Sequence, residues 1–405
     1  MAVKTQPAQP GSPLATPLPR VLRPRRATPA DAVRPTRAEV NLAALRHNLR
    51  VVQRAALGAR VWGVLKADAY GHGAPAVART LERAGIDGMC VALLEEAIEL
   101  RDAGIRVPLL VMGGYYGQAW GEILARDLVP VVYDVGQIEA LAREVRFASS
   151  EPVGLHLKID TGMGRLGCTP AELPALLAAL GRHPEVRLDG LMTHLACADA
   201  TDLGAVDEQL ARFTEATRVV REAGFDPKVL HAANSAALLR SPGSRLDVVR
   251  PGIALFGVAP CEGAGIELRP VMKVRSEVVA LRDLVAGESL GYGWTWRAER
   301  PSRIATVPMG YADGLHRDLS NRGDVLVRGR RARIVGAVSM DLTMIDVTDH
   351  EGVSVRDEVV VLGQQEGPLG RDAITALEIA GLTSSIPWEV LTHVSRRVPR
   401  FYREP

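Results

Sequence analysis

Aromatic residues make up only 4% of this 405-residue chain, and it carries four cysteines. With so few rings, each Tyr and Trp position becomes informative. Cys90, Cys168, Cys197 and Cys261 are scattered, with no C-x-x-C spacing and no close histidine pattern. That argues against a disulfide framework or a zinc site and fits reduced thiols in a cytoplasmic protein. No stretch approaches the roughly 18 apolar residues needed to span a bilayer. The first residues lack the apolar segment of a secretory signal. A net charge of +2 leaves no broad electrostatic case for nucleic acid or an anionic membrane.

What is present is a hydrophobic fraction of 47%, enough for a substantial core in a chain too long for one ordinary domain. Residues 1–35 stand apart, being rich in Pro, Arg, Ala and Thr. Proline density opposes regular helix or strand, and too little apolar surface exists to offset chain entropy, so a disordered tail is expected. From Thr36 to Ala56 the pattern reads as a short strand and then a helix, with Leu42, Leu45, Leu49 and Val52 at helical spacing.

An alternation follows. Apolar, β-branched runs occupy 61–66, 88–92, 108–112, 129–133, 153–159, 187–194, 228–232 and 246–250. Amphipathic stretches at 73–84, 94–103, 118–125, 136–146, 170–181, 203–223 and 234–239 separate or follow them. Strands alternating with helices imply parallel pairing, and eight strands imply an α/β fold closed as a (β/α)8 barrel over residues 36–270. Beyond residue 270 short alternating runs separated by Gly and Asp turns predict a mainly β domain over 271–405, with a single helix at 372–380.

Barrel chemistry sits at the C-terminal strand ends. The residues at or just past those ends are Lys66, Asp68 and Tyr70; Asp160, Thr161 and Arg165; His194; Asn234 and Ser235; and Arg250, Pro251 and Gly252. Strand ends border polar loops, so some clustering is ordinary, but Lys66 and Arg250 directly abut apolar strands. A lysine so placed is partly desolvated, which lowers its pKa and frees an amine for Schiff-base formation. By position alone it also reads as a surface lysine snorkelling past a strand end. Gly162, Gly164 and Gly167 satisfy G-x-G-x-x-G between a strand and a helix, as in a dinucleotide site. The acid such a site requires about twenty residues on has a poor candidate in Asp189, which falls inside a predicted strand, and the eightfold alternation disagrees with an open sheet.

The segment VWGVLKADAYGHG (61–73) closely resembles the pyridoxal-phosphate (PLP) lysine motif of alanine racemases. The resemblance continues through HLKIDTGMGRLG (156–167), THLACAD (193–199), HAANSAA (231–237), VRPGIALFG (249–257), LGYGWTW (290–296), GYADG (310–314), GAVSMDLTMID (336–346) and SRRVPRFY (395–402), in the family's order. It implies a barrel followed by a β domain, PLP carried on Lys66, and interconversion of L- and D-alanine for cell-wall peptidoglycan. Racemisation moves a proton from one face of Cα to the other, and the resemblance assigns the opposing faces to Lys66 and Tyr292. Tyr292 lies in the second domain and in the family reaches the barrel of a partner subunit, so a homodimer with shared sites is implied. A tyrosine serves as a base only where nearby cations favour its phenolate.

The same resemblance places Arg250 against the pyridine nitrogen. Guanidinium only donates, so it leaves the ring without a full proton. Phosphate contacts fall to Tyr70, Ser235 and the backbone N–H groups of Gly252 and Ile253. Asn234 or Ser235 could equally cap a helix there. Arg165 matches an arginine contacting the cofactor and the substrate carboxylate, and Lys158 matches a lysine often carbamylated to orient it. His194 matches a histidine near the cofactor. Tyr311 and the Met340 backbone match residues near the substrate entrance and the substrate carboxylate, with Asp341 supporting their loop. No metal is implied.

One departure matters. The family's tyrosine before Glu-Val, a phosphate contact, is replaced by Trp388, whose indole donates one N–H and accepts nothing. Substrate breadth therefore stays open, with a racemase of serine or another amino acid as an alternative. A PLP decarboxylase of related fold would set a carboxylate against the ring nitrogen, contrary to Arg250. A non-catalytic PLP-binding barrel would need neither the second domain nor Tyr292.

Overall fold

The computed structural model describes residues 32–113, 119–149, 151–261, 263 and 265–404. The first 31 residues of the expected tail lie outside them, as does residue 118 of one expected helix.

The chain opens with β1 (Arg37–Asn41) and α1 (Leu42–Ala55). The Asn41 side chain accepts from the Ala44 N–H and caps the helix, and Leu42, Leu45, Leu49 and Val52 form its buried stripe. Eight parallel strands come next: β2 (Arg60–Val64), β3 (Gly88–Val91), β4 (Leu109–Val111), β5 (Val129–Val132), β6 (Val153–Lys158), β7 (Val186–Met192), β8 (Val229–His231) and β9 (Val248–Val249). Between and after them lie α2 (Lys66–Tyr70), α3 (Ala74–Arg83), α4 (Leu94–Asp102), α5 (Trp120–Ala125), α6 (Val135–Ala148), α7 (Leu173–Arg182), α8 (Gly204–Glu222) and α9 (Ser235–Arg240).

The strands follow one another around the sheet in sequence order, and β9 returns to pair with β2. The seam between β8 and β9 is bridged by Asp247 N–H to Leu230 O at 3.0 Å and Arg250 N–H to Ala233 O at 2.9 Å. The expected barrel is therefore present. Its strands are short and buried on both faces, as parallel strands under a ring of helices must be.

The second domain contains β10 (Met272–Glu277), β11 (Ala280–Leu284), β12 (Ser289–Leu290), β13 (Trp296–Arg297), β14 (Ser302–Val307), β15 (Asp324–Val327), β16 (Arg330–Arg333), β17 (Thr343–Asp346), β18 (Glu358–Gly367), β19 (Gly370–Ile374) and β20 (Arg400–Arg403). The strict alternation of burial along β10 is the mark of a sheet with one face on the core. Strand β1 pairs antiparallel with β10 and parallel with β20, so the first strand of the chain belongs to this sheet and not to the barrel. Its buried Ala38 and Val40 pack there, and α1 then carries the chain over to the barrel.

The single helix expected at 372–380 is corrected in two ways. Residues 372–374 complete β19, and the helix α10 (Ala376–Leu382) starts only after Thr375, whose hydroxyl accepts from the Glu378 N–H. A further helix, α11 (Pro387–His393), begins at a proline that suits a first helical turn. One hydrophobic core runs without a break from the barrel into the second domain. Among the described residues no helix is long and apolar enough to cross a membrane.

The two units meet where Gly71, just after α2, lies under α11. A Cβ at Gly71 would sit 2.4 Å from the Leu391 carbonyl oxygen, and φ is +79°. Gly58 has a comparable φ of +98° with nothing within 4 Å. Gly58→Ala is expected to cost about 1 kcal/mol, the price of backbone conformation alone. Gly71→Ala should cost well over about 2 kcal/mol, since the added methyl meets a carbonyl that cannot move without lifting α11. Urea unfolding of both variants checks this; equal losses would show that the contact with α11 is soft.

Candidate active site

A cavity of about 900 Å³ opens at the C-terminal ends of the barrel strands, walled on one side by α11. Lys66, Tyr70, His194, Ser235, Arg250, Gly252, Ile253 and Trp388 all line it. So do Met163, Asp199, Asn234, Glu389, Thr392 and His393, which sequence reasoning had not assigned to a site or, for Asn234, had not assigned there alone.

The turn after β2 positions Lys66. Ala67, Asp68, Ala69 and Tyr70 have φ of 52°, 57°, 52° and 53°, one turn of left-handed helix. Such a conformation costs an L-residue about 1–2 kcal/mol. Polar contacts hold it. The Ala67 N–H donates to Glu96 Oε1 at 2.6 Å, and Asp68 Oδ1 accepts from the Ala74 N–H at 2.6 Å, which starts α3. His72 Nδ1 reaches the carbonyls of Ala69 and Tyr70 at 3.0 and 2.9 Å. Arg400, buried, donates to the Gly71 carbonyl at 3.0 Å. Glu96, His72 and Arg400 had no role in the sequence reading, because nothing local announces a left-handed turn of non-glycine residues.

Burial lowers the Lys66 pKa, and the nearby Arg165 charge lowers it further, while Glu96 opposes both. The amine is thus easier to deprotonate than an ordinary lysine's. Lys158 is buried at the end of β6, and its pKa falls to about 8 through desolvation, then through Arg165 and Arg250. Arg165 itself is exposed on the loop after β6. In that loop Asp160 accepts from the N–H groups of Gly162 and Gly164 at 2.9 and 3.1 Å. Its amides are therefore occupied by the chain's own carboxylate, which explains why the G-x-G-x-x-G spacing is no phosphate cradle here.

Arg250 is 2% exposed, and burial pushes its pKa down to about 10, so it keeps its charge at neutral pH. It donates to the carbonyls of Thr193 and Ala232 at 2.7 and 3.1 Å and to His231 Nδ1 at 2.7 Å. His231 Nε2 lies 2.8 Å from His156 Nδ1, and Trp62 stacks on His156 with centroids 5.7 Å apart. Since guanidinium only donates, His231 accepts on Nδ1 and donates from Nε2 to His156. Both rings are neutral, in keeping with desolvation as the main cause lowering both pKa values. This chain of donors was missed in the sequence, although one signal was available. Gly190 sits inside β7 opposite His156, and a Cβ there would come within 2.7 Å of the imidazole.

Ser235 Oγ accepts from the Gly252 N–H at 2.9 Å and faces the Ala254 N–H at 3.4 Å. Asn234 caps α9 by accepting from the Ala237 N–H at 3.0 Å, so the capping role left open in the sequence falls to Asn234 and not to Ser235. Gly252 admits Tyr70: a Cβ at Gly252 would lie 2.3 Å from the Tyr70 hydroxyl. Tyr70 is buried against Phe256, with centroids 4.9 Å apart.

Tyr292, Tyr311 and Met340 do not line this cavity. They are 74%, 43% and 52% exposed on the second domain, together with Trp294 and Leu342. They are neighbours of one another. The Tyr311 N–H donates to Ser339 O at 3.0 Å, and Asn321 joins the Tyr292 turn to the 336–342 loop through Thr295 O and the Gly336 N–H. One chain thus presents a lysine-lined cavity and, separately, an exposed apolar cluster carrying the expected second base. Among the described residues no group of three or more His, Cys, Asp or Glu could hold a metal ion.

Four histidines, His72, His156, His194 and His231, are held neutral by burial, the first three at pKa values of about 4, 4 and 3. Each folded pKa lies below the unfolded value near 6.5, so the unfolded chain binds these protons first. Stability from this source is complete above about pH 6.5 and declines as pH falls toward 4. Urea unfolding should give a clearly lower free energy at pH 5 than at pH 7.5, with a shallower decline in His72→Gln. A flat profile across that interval would contradict the assignment.

The profile of the alanine racemase N-terminal domain matches residues 40–260, and that of the alanine racemase C-terminal domain matches residues 271–402. The chain is 67% identical over 379 residues to an alanine racemase of Sorangium cellulosum, covering 92% of this chain and all of that protein. It is 43% identical to one from Symbiobacterium thermophilum over 92% of this chain and 98% of that one. Among solved structures, alanine racemase from Streptomyces coelicolor superposes with a TM-score of 0.86 at 36% identity, covering 92% of this chain and 99% of that one. The Bacillus anthracis enzyme with bound L-Ala-P does so with a TM-score of 0.86 at 33% identity, covering 92% and 96%.

Proposed function

The chain belongs to the alanine racemase family, and from that premise we propose that it interconverts L- and D-alanine with PLP held on Lys66, in a site completed by Tyr292 of a second copy. The observation that carries this reading is one cavity in which a desolvated lysine, a buried arginine, a tyrosine hydroxyl and a serine meet.

The donor set suits PLP. Lys66, Lys158, Arg165 and Arg250 gather cationic groups around the space, as a phosphorylated anion requires. Tyr70, Ser235 and the Ile253 backbone N–H are the groups that would hold the phosphate, with Trp388 beside them; the Gly252 N–H donates to Ser235 Oγ and would have to exchange that bond to join them. Arg250 would face the ring nitrogen. When bound, the cofactor supplies a conjugated ring that draws electrons from the substrate's Cα–H bond. Lys66 Nζ holds or removes the proton on one face of Cα, and Tyr292 Oη does so on the other. Arg250 cannot hand over a full proton, and its contacts to Thr193 O, Ala232 O and His231 hold it rigidly in that office. Arg165 orients the substrate carboxylate, its fork geometry matching two oxygens. His194, neutral among the cations, lines the cavity and would lie beside the cofactor. The lowered pKa of Lys158 leaves a fraction of free amine able to take up carbon dioxide, giving a carbamate and a proton; that anion would orient Arg165.

The exposed cluster of Tyr292, Trp294, Tyr311 and Met340 supports a homodimer, because apolar side chains left out of one chain's core gain by burial against another. Met340 and Tyr311 would then contact the substrate at the mouth of the second copy's cavity. Four free cysteines agree with a cytoplasmic enzyme supplying D-alanine for peptidoglycan.

Purified protein supplied with PLP should become reducible by borohydride at Lys66, read as a mass shift on that peptide. L-Ala should lose optical rotation, and parallel assays with L-Ser and L-Lys decide how far Trp388 widens the range. Absence of both cofactor uptake and rotation loss refutes the reading. Lys66→Ala and Tyr292→Ala are each expected to be nearly inactive. An equimolar, randomly paired mixture should regain about a quarter of wild-type activity, since half the dimers are mixed and each has one intact site. No regain would refute the shared site.

A further inference from the structure

Arg34 lies before the first strand, far in sequence from everything assigned to the site. Its guanidinium reaches Asp313 across 279 residues, with Nη1 to Oδ2 at 2.9 Å and Nη2 on Oδ1, a two-pronged contact. The Asp313 side chain is fully buried. Its Oδ2 also accepts from the Gly310 N–H at 3.1 Å. Arg397 Nε lies 3.0 Å from Oδ1, and Arg397 Nη2 donates to Asp341 at 2.6 Å. Two guanidinium groups and two carboxylates thus form one charge-balanced bridge. It joins the segment before β1, the turn at 310–314, the loop at 339–342 and the segment after α11.

The position of this bridge matters more than its strength. Asp313 closes the short turn that begins with Tyr311, and the N–H groups of Tyr311 and Ala312 donate to Ser339 O and Met340 O at 3.0 and 3.1 Å. The packing there leaves no slack: a Cβ on Gly310 would lie 2.2 Å from Ser339 O. Tyr311 and Met340 are about half exposed, so where they point depends largely on how the turn and the loop that carry them are held. Contacts on the buried carboxylate from two sides hold the turn in one arrangement, whereas Arg397 alone would be shared between Asp313 and Asp341, one cation for two carboxylates.

We propose that Arg34 is a positioning residue: through Asp313 it holds Tyr311 and Met340 where a second copy's substrate binds. The inference rests on the shared-site reading above and extends it to a residue in the arm before the fold. It places the effect of Arg34 in trans, on the cavity of the other chain. Contacts to the substrate that persist from binding through reaction act on KM and leave kcat nearly unchanged.

The test uses Arg34→Ala and Arg34→Lys in the full chain. Arg34→Ala keeps Arg397 and the Gly310 N–H on Asp313, so the fold has two of its three supports. The homodimer should show KM for L-Ala raised about tenfold with kcat within about twofold, and Arg34→Lys should recover part of the loss by restoring charge without the fork. Differently tagged chains then allow mixed dimers to be isolated. A wild-type chain paired with a Lys66→Ala, Arg34→Ala chain should show the raised KM. An Arg34→Ala chain paired with a Lys66→Ala chain should show the wild-type KM. An unchanged KM in the homodimer overturns the proposal. So does a raised KM that follows the chain bearing Lys66, or a loss confined to kcat or to thermal stability. The Lys66→Ala and Tyr292→Ala mixture reports on the shared site separately, so failure there is distinguishable from failure here.

Discussion

Ala67 to Tyr70 wind left-handed, against the preference of every L-residue, immediately after the lysine that the cavity is built around. At about 1–2 kcal/mol for each of the four residues, the turn is unstable by itself. It persists because Glu96 from α4, Asp68 within the turn, His72 just beyond it and Arg400 from the last strand each bond to its backbone or to the helix it starts. Strain of this kind is kept where the surroundings over-determine it, and such places are often functional. Here it brings Lys66 and Tyr70 to the same cavity only four residues apart, with Tyr70 folded back under Gly252.

That dependence ties the barrel to the second domain. Arg400 buries its guanidinium among carbonyls of Gly71, Val394, Ser395 and Val398, so it fastens the left-handed turn to the segment following α11. α11 in turn supplies Trp388, Glu389, Thr392 and His393 to the cavity wall. The β domain is therefore part of the site's structure within one chain, apart from anything it offers a second copy. Strand β1 reinforces the link, since it joins the β sheet and α1 then leads from it to the barrel.

Electrostatics follows the same geometry. Desolvation lowers the pKa of Lys66, Lys158 and the nearby histidines, and the mutual repulsion of Lys66, Lys158, Arg165 and Arg250 adds to it. An anionic cofactor and substrate would relieve that repulsion, so the protein invests part of its stability in affinity. Arg250 stands apart because its donors run into acceptors on three sides and its charge persists.

Much of this was legible in the amino-acid order. Periodicity alone gave eight strands and their helices, because parallel strands buried on both faces and amphipathic helices write distinct patterns. Motif resemblance placed Lys66, Tyr70, Ser235, Arg250 and Trp388 together, and they share one cavity. Tertiary structure alone decided what depended on distant partners. The left-handed turn needs Glu96 and Arg400, so no local rule could forecast it. Strand β1 chose the β sheet because β10 and β20, far along the chain, offered edges to it. The neutrality of His156 and His231 comes from burial and from Arg250, and Arg34 has meaning only once Asp313 lies beside it. Local order encodes which surfaces are apolar and which groups can react. The distances that turn those groups into a site arise only when segments hundreds of residues apart close on one another.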